Sequence, residues 1–362
     1  MRFEYITGIL PISHLGLLSE PNEVLNVRDD KEFDGIIGYT DEELFKNFGK
    51  DLENIALGEF ARREKIDEFD DSNEENKKKI MKIKKEIEND IHKNYNGFRF
   101  SENQKDSLYS PIVINNLLSG WNPTTPPNYP PFYARTGSSQ LIWKTVKKMP
   151  FEEKLTFISA LLDKTNSYTL FTCQKDQLTK NQTLDDLFFK PEQLFFYSGL
   201  LSVQKKGSTE NSWNLGIVNN EMRKDLLGDL KSEMKLHQNG LEILEKLFHG
   251  RYQGYFDLIN ESYKRLSSFL KITDSSKAQE NEVEQYGEMF FEIVQSHLAE
   301  SVKHYKKIRG DFIISSFGTI KDQAIRPEFI VYFDIINKED KEKKKVALIF
   351  AFKGFENIDQ SL

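Results

Sequence analysis

One cysteine, Cys173, stands in 362 residues. An internal disulfide is therefore excluded, and a lone thiol suits a reducing compartment. No apolar run reaches the length of a membrane span. The N-terminal MRFEYITGILPIS has neither a basic n-region nor a continuous apolar h-region, so no signal peptide is read there. A cytoplasmic location with no membrane partner is expected. A surplus of positive charge is missing too: 50 Lys and Arg against 57 Asp and Glu leave a net charge of −7. That excludes a globally basic footprint for nucleic acid and leaves only local patches. G-x-x-x-x-G-K-[ST] occurs nowhere, so the loop whose amides and lysine cradle a triphosphate is absent and no ATP site is expected.

What is present is 38% hydrophobic and 30% charged residues, enough for a globular chain of two or three compact units. Residues 1–10 carry Phe3, Tyr5, Ile6, Ile9 and Leu10 and read as a strand; lacking an earlier partner, it points to missing upstream sequence. TDEELFKNF reads as a short helix with Thr40 as N-cap and three acids in the first turn. Residues 72–93 read as a charged helix. Its seam is Ile80, Ile83, Ile87 and Ile91, and its opposite-sign pairs four apart include Glu75–Lys79 and Lys82–Glu86. NPTTPPNYPP is a loop. Helical segments are expected around 151–162 and 182–195. FFYSGLLSVQKK and SWNLGIVN then form a hairpin, followed by a helix from about Glu221. Helix, hairpin and helix over 182–235 resemble a winged helix whose wing carries Lys205 and Lys206. Gly250 and Gly254 interrupt an apolar helical pattern and mark a boundary between units. A long helix over 282–306 carries His297, which has no second histidine or cysteine at ligand spacing and reads as packed or at the surface.

The last forty residues carry the sharpest pattern. In EFIVYFDI, Glu328, Ile330, Tyr332 and Asp334 share one face; in VALIFAFK, Ala347, Ile349, Ala351 and Lys353 do. A hairpin through the charged loop KEDKEKKK sets Glu328 and Lys353 on one side of a sheet. A carboxylate after a proline, with a lysine at the adjacent strand end, is the skeleton of the PD-(D/E)xK nuclease site. In that chemistry two carboxylates hold a divalent cation such as Mg²⁺, and the lysine orients the attacking water. The second carboxylate belongs two residues before the lysine, at Ala351. Asp334 lies on the same face but six residues along, about 20 Å away at strand rise, too far to stand in.

Taken in order, GYTDEEL, NYNGFRF, LYSPIVINNLL, FYARTGSSQLI, FFYSGLLSV and WNLGIVNNEMRKDL resemble segments of a bacterial family that joins an AAA-ATPase-like domain to a C-terminal PD-(D/E)xK nuclease-like domain. NEVEQYGEMFFEIV is similar to the first nuclease helix, AIRPEFIVYF to its acid-bearing strand, and LIFAFK to its E-x-K strand. The resemblance covers nearly the whole chain. It implies a mixed α/β (α+β) fold: a mostly helical part over 1–245 without a phosphate-binding loop, then a PD-(D/E)xK-like unit over 246–362. It also implies Glu284, Glu328 and Lys353 as catalytic residues, Glu328 as metal ligand, and Mg²⁺ as the ion if the site is active. The chain departs from the family at the missing phosphate loop, at Ala351 and at an absent closing helix, and so reads as truncated at both ends. The expected function is binding of DNA, RNA, a protein partner or a full-length homologue, with weak or no catalysis. The competing expectation is a metal-dependent nuclease using Glu284, Glu328 and Lys353.

Overall fold

A computed structural model describes residues 35–65, 73–122, 125–132, 138–163, 165, 168–179, 190–236, 252–272, most positions between 285 and 297, and the strands 312–321, 328–337 and 343–351. The expected strand at residues 1–10 lies outside them. The architecture is mixed helix and sheet. Two compact units are formed, one from Met1–Val146 with Asp163–Leu226, the other from Lys147–Leu162 with Leu227–Leu362. The sequence-expected boundary after residue 245 falls outside the described residues.

In the first unit α1 (Asp41–Asn47) opens with a capping box: Thr40 accepts from the Glu43 amide, and the Glu43 carboxylate accepts from the Thr40 amide. α2 (Gly49–Glu64) and α3 (Glu74–Tyr95) pack through one apolar core. Ile80, Ile83, Ile87 and Ile91 are all buried in it. Each contributes roughly 1.5–3 kcal/mol relative to exposure. An exposed pair such as Glu75–Lys79, at 3.8 Å, contributes about 0.3–0.5 kcal/mol. The seam, not the charge ladder, decides that this segment is a helix. Glu86, expected to meet Lys82, is met by Arg63 of α2 at 2.9 Å.

Buried Glu59 on α2 accepts from Arg62 at 2.6 and 2.8 Å and from Arg63 at 2.7 Å. Burial pushes its carboxyl pKa upward, but the bonds and charges of the two arginines together outweigh that and hold it below the usual value. A depressed folded-state pKa stabilises fully above the unfolded value of about 4.3 and is lost as pH falls through the folded one. Glu59→Gln is accordingly expected to cost about 1–3 kcal/mol at pH 7. The gap to wild type should narrow once pH drops below about 4. Urea midpoints for both proteins at the two pH values check this; a pH-independent gap would sink it.

Beyond α3, β1 (Asn96–Phe98) pairs antiparallel with β2 (Leu108–Tyr109). α4 (Pro111–Ser119) follows, its proline in the first turn where no amide partner is needed. α5 (Ser138–Val146) ends this stretch. β3 (Phe171–Gln174) leads into α7 (Lys175–Thr179) and α8 (Pro191–Tyr197). β4 (Leu201–Val203) and β5 (Ser212–Ile217) form the expected hairpin, and β3 adds a third strand in the order β3-β5-β4. α9 (Asn220–Glu233) follows one residue earlier than expected.

The second unit contains α6 (Phe151–Leu162), matching the expected bounds, and α10 (Tyr252–Leu270). Gly254 does not break the helix; α10 runs through it. A glycine in the first turn leaves few intrahelical bonds at risk, and the apolar periodicity from Ile259 to Leu270 carries the rest. Tyr263 meets Tyr286 and Phe290 edge-on at 4.8 and 5.1 Å. His297 is buried.

Three long strands form an antiparallel meander in the order β6-β7-β8: β6 (Phe312–Lys321), β7 (Glu328–Asn337) and β8 (Lys343–Ala351). The register sets Phe329, Val331 and Phe333 opposite Phe350, Leu348 and Val346, so the apolar faces of β7 and β8 coincide. Three lysines of KEDKEKKK, expected in the loop, belong to β8. Lysine is well tolerated on the outer strand of a sheet, and Lys345 sits across from Asp334. Among the described residues no helix is long and apolar enough to cross a membrane.

Candidate functional site

Of the expected nuclease residues, the described structure carries Glu328, the first residue of β7. Its backbone pairs directly with Ala351, the last residue of β8. Directly opposed residues of an antiparallel pair occupy the same face. Position 351 is thus where a second carboxylate would share that face with Glu328, and a methyl group stands there. The PD-(D/E)xK chemistry needs a carboxylate at each of these two positions to hold its cation, so the pair Glu328 and Ala351 does not fit that metal site. Glu284 and Lys353 lie outside the described residues. Among the described residues no group of three or more His, Cys, Asp or Glu gathers as a metal site.

A second site takes shape around NYNGFRF. The apolar seam of α3 carries Tyr95 into the core, 1% exposed, where its hydroxyl donates to the Pro130 carbonyl at 2.9 Å. The helix stops there because Asn96 turns extended and Gly97 takes φ +132°, a conformation that residues with a Cβ rarely adopt. Asp41, at the start of α1, gathers three groups on one carboxylate oxygen. The buried Tyr109 hydroxyl donates to it at 2.5 Å and Asn96 at 3.2 Å, while His92 Nδ1 lies 3.0 Å away. The side chains that hold the segment come from far along the chain. Ser202 Oγ donates to the Gly97 carbonyl at 2.7 Å and accepts from the Arg99 amide at 2.8 Å. Asn219 donates to the Tyr95 carbonyl at 3.2 Å, and Lys224 to Asn94 at 2.6 Å.

This framework leaves an open cleft of about 780 Å³ between the end of α3, β1 and the β4–β5 hairpin. Its cations are Lys93, Arg99, Lys205 and Lys206, and no Asp or Glu lines it. Among the described residues none of the three lysines takes part in an ion pair. Arg99 is half-buried; its guanidinium donates to the Gln104 carbonyl. Burial lowers its pKa, and the Asp106 charge acts the other way. Gly207, at φ +82°, shapes the turn that carries the lysine pair.

Lys205 and Lys206 on the wing and Arg99 in NYNGFRF are visible in the sequence, but nothing local connects them. Ser202 and Asn219, which do the connecting, stand 103 and 124 residues from their partners. No local spacing could have found them. Comparison with protein-family profiles, with curated proteins and with solved structures finds no match for this chain.

Proposed function

We propose that the chain works by binding, with weak or no catalysis, as a protein of the AAA-ATPase-like, PD-(D/E)xK nuclease-like kind with no triphosphate site and a degenerate nuclease site. One observation carries this reading: Glu328 is paired with Ala351, so the face that needs two carboxylates has one at these positions. A meander whose middle strand opens on the acid is consistent with the nuclease-like assignment. The order α8, β4, β5, α9 is consistent with the winged-helix-like one. The partner is DNA, RNA or a protein, including a full-length homologue. The competing reading is a metal-dependent nuclease in which Glu284, Glu328 and Lys353 suffice.

Restoring a carboxylate discriminates between the two. Wild type, Ala351→Glu and Ala351→Glu with Lys353→Ala are incubated with single- and double-stranded DNA and RNA in Mg²⁺ or Mn²⁺. Little cleavage is expected from wild type, metal-dependent cleavage from Ala351→Glu, and its loss in the double variant. Charge at the metal lowers the barrier to phosphodiester attack, so a rebuilt pair of acids should raise the rate by a factor of about ten or more. Robust wild-type cleavage that disappears on Glu328→Ala would establish the nuclease reading instead.

A further inference from the structure

We propose that the cleft around NYNGF is a binding site for the sugar-phosphate backbone of single-stranded nucleic acid. This deepens the reading that the chain works by binding, and it does not depend on the nuclease-like assignment of the meander. In a chain of net charge −7, one cleft collects Lys93, Arg99, Lys205 and Lys206 and is lined by no acid. Gathering these cations, the three lysines without an ion pair among the described residues, costs mutual repulsion with no evident benefit to the fold; an anionic ligand supplies the missing charge.

The arrangement selects among anions. The cations come from three separate elements: Lys93 from the last turn of α3, Arg99 from just beyond β1, and the lysine pair from the β4–β5 turn. A flexible polyanion can offer successive phosphates to cations that reach one open cleft from separate elements. The planar Arg99 guanidinium suits a phosphate, and the lysines act as point charges. Val203, Ile217 and Val218 form apolar wall, no Phe, Tyr or Trp lines the cleft, and the one ring there, His92, is set against Asp41 and Tyr109. Base stacking therefore adds little, and recognition rests on the backbone with small sequence preference. A flexible single strand can follow cations set on separate elements, whereas a duplex holds its phosphates at fixed spacing.

Fluorescence anisotropy of the full chain with a labelled 12-nucleotide strand of mixed sequence, in EDTA so that cleavage cannot intervene, tests this. Binding should saturate at 50 mM salt. The slope of log K against log salt should be about −3, as expected for four phosphate contacts on a single strand at about −0.7 each. Lys205→Glu with Lys206→Glu should weaken binding at least tenfold and bring the slope to about −1.5. Lys93→Glu should act in the same direction with a smaller effect. Lys78→Glu, exposed on α3 and away from the cleft, controls for net charge and should leave the affinity within about twofold. Circular dichroism melting of each variant separates lost binding from lost folding. Absence of saturable binding, equal binding by the cleft and control variants, tighter binding of duplex than of single strand, or equal binding of poly-glutamate would each overturn the proposal. Because no step here involves cleavage, its failure would leave the Ala351 series untouched, and failure of that series would leave this site standing.

Discussion

Gly97→Ala is expected to destabilise the first unit by about 3 kcal/mol or more, among the largest effects available from adding one methyl group. Two costs combine. At φ +132° an L-residue carries backbone strain of roughly 1–3 kcal/mol. An added Cβ would also stand 2.1 Å from the Val218 carbonyl oxygen and 3.1 Å from its carbon. These atoms are main chain, and Val218 is held by its own amide donating to Leu200 at 3.0 Å. Relief requires parting the segment at 97 from the end of β5, which would also pull Ser202 from Gly97 and open the cleft. Two glycines isolate the causes. At Gly35 (φ +86°) a Cβ meets nothing within 4 Å, so alanine there should show strain alone, about 1 kcal/mol. At Gly49, with equal room and ordinary helical backbone, alanine should be neutral or stabilise by up to about 1 kcal/mol. Urea midpoints for the three variants check the ranking. A Gly97→Ala protein as stable as Gly49→Ala would refute the contact with Val218.

Trp213→Ala is expected to cost about 3–5 kcal/mol, and the chain contains its own reporter for the loss. Trp213 is 1% exposed on β5. Its indole donates to Glu102 at 2.8 Å, its ring lies 6.0 Å from Phe196, and its backbone pairs with Cys173 on β3. Burial pushes the Cys173 thiol up to about 12, with the Glu192 charge adding to it, so the native thiol is almost entirely protonated and shielded. With one cysteine in the chain, modification by a thiol reagent reports opening of this sheet alone. The wild type should react slowly. Trp213→Ala should react about a hundredfold faster or more, since each 1.4 kcal/mol is tenfold in the open population. Trp213→Phe should fall between, because the ring is largely replaced but the bond to Glu102 is not. Equal modification rates in wild type and Trp213→Ala would mean that this side chain does not hold the sheet closed.

The elements legible in the sequence were those whose signal is local. Thr40 with Glu43, the isoleucine seam of α3, the segment 151–162, the β4–β5 hairpin and the strand pair β7 and β8 all lie within a few residues of themselves, and each is observed. In α2, Leu52, Ile55, Ala56 and Phe60 repeat at helical spacing and are all buried, but the charged residues between them mask the pattern. Ser110-Pro111 was a readable start for α4. β3 was not readable, because a four-residue strand takes its identity from its partner β5, about forty positions away. The cleft was hidden for the same reason. Its cations, three lysines and Arg99, stay scattered along the sequence until Ser202 and Asn219 bring their elements together.

That dependence on distant partners sets an order in time. Asn94, Tyr95, Gly97 and Arg99 are satisfied by Lys224, Asn219 and Ser202, and the Phe132 amide by Glu221. During synthesis at 5–20 residues per second, α3 can form early, yet the turn that follows it waits roughly 5–25 s for residues near 220 to leave the ribosome. Such high contact order also predicts slow refolding from denaturant, in the millisecond-to-second range or beyond. A nascent chain halted before Asn219 would present a finished helix and an unclosed turn, which is the state a chaperone would meet.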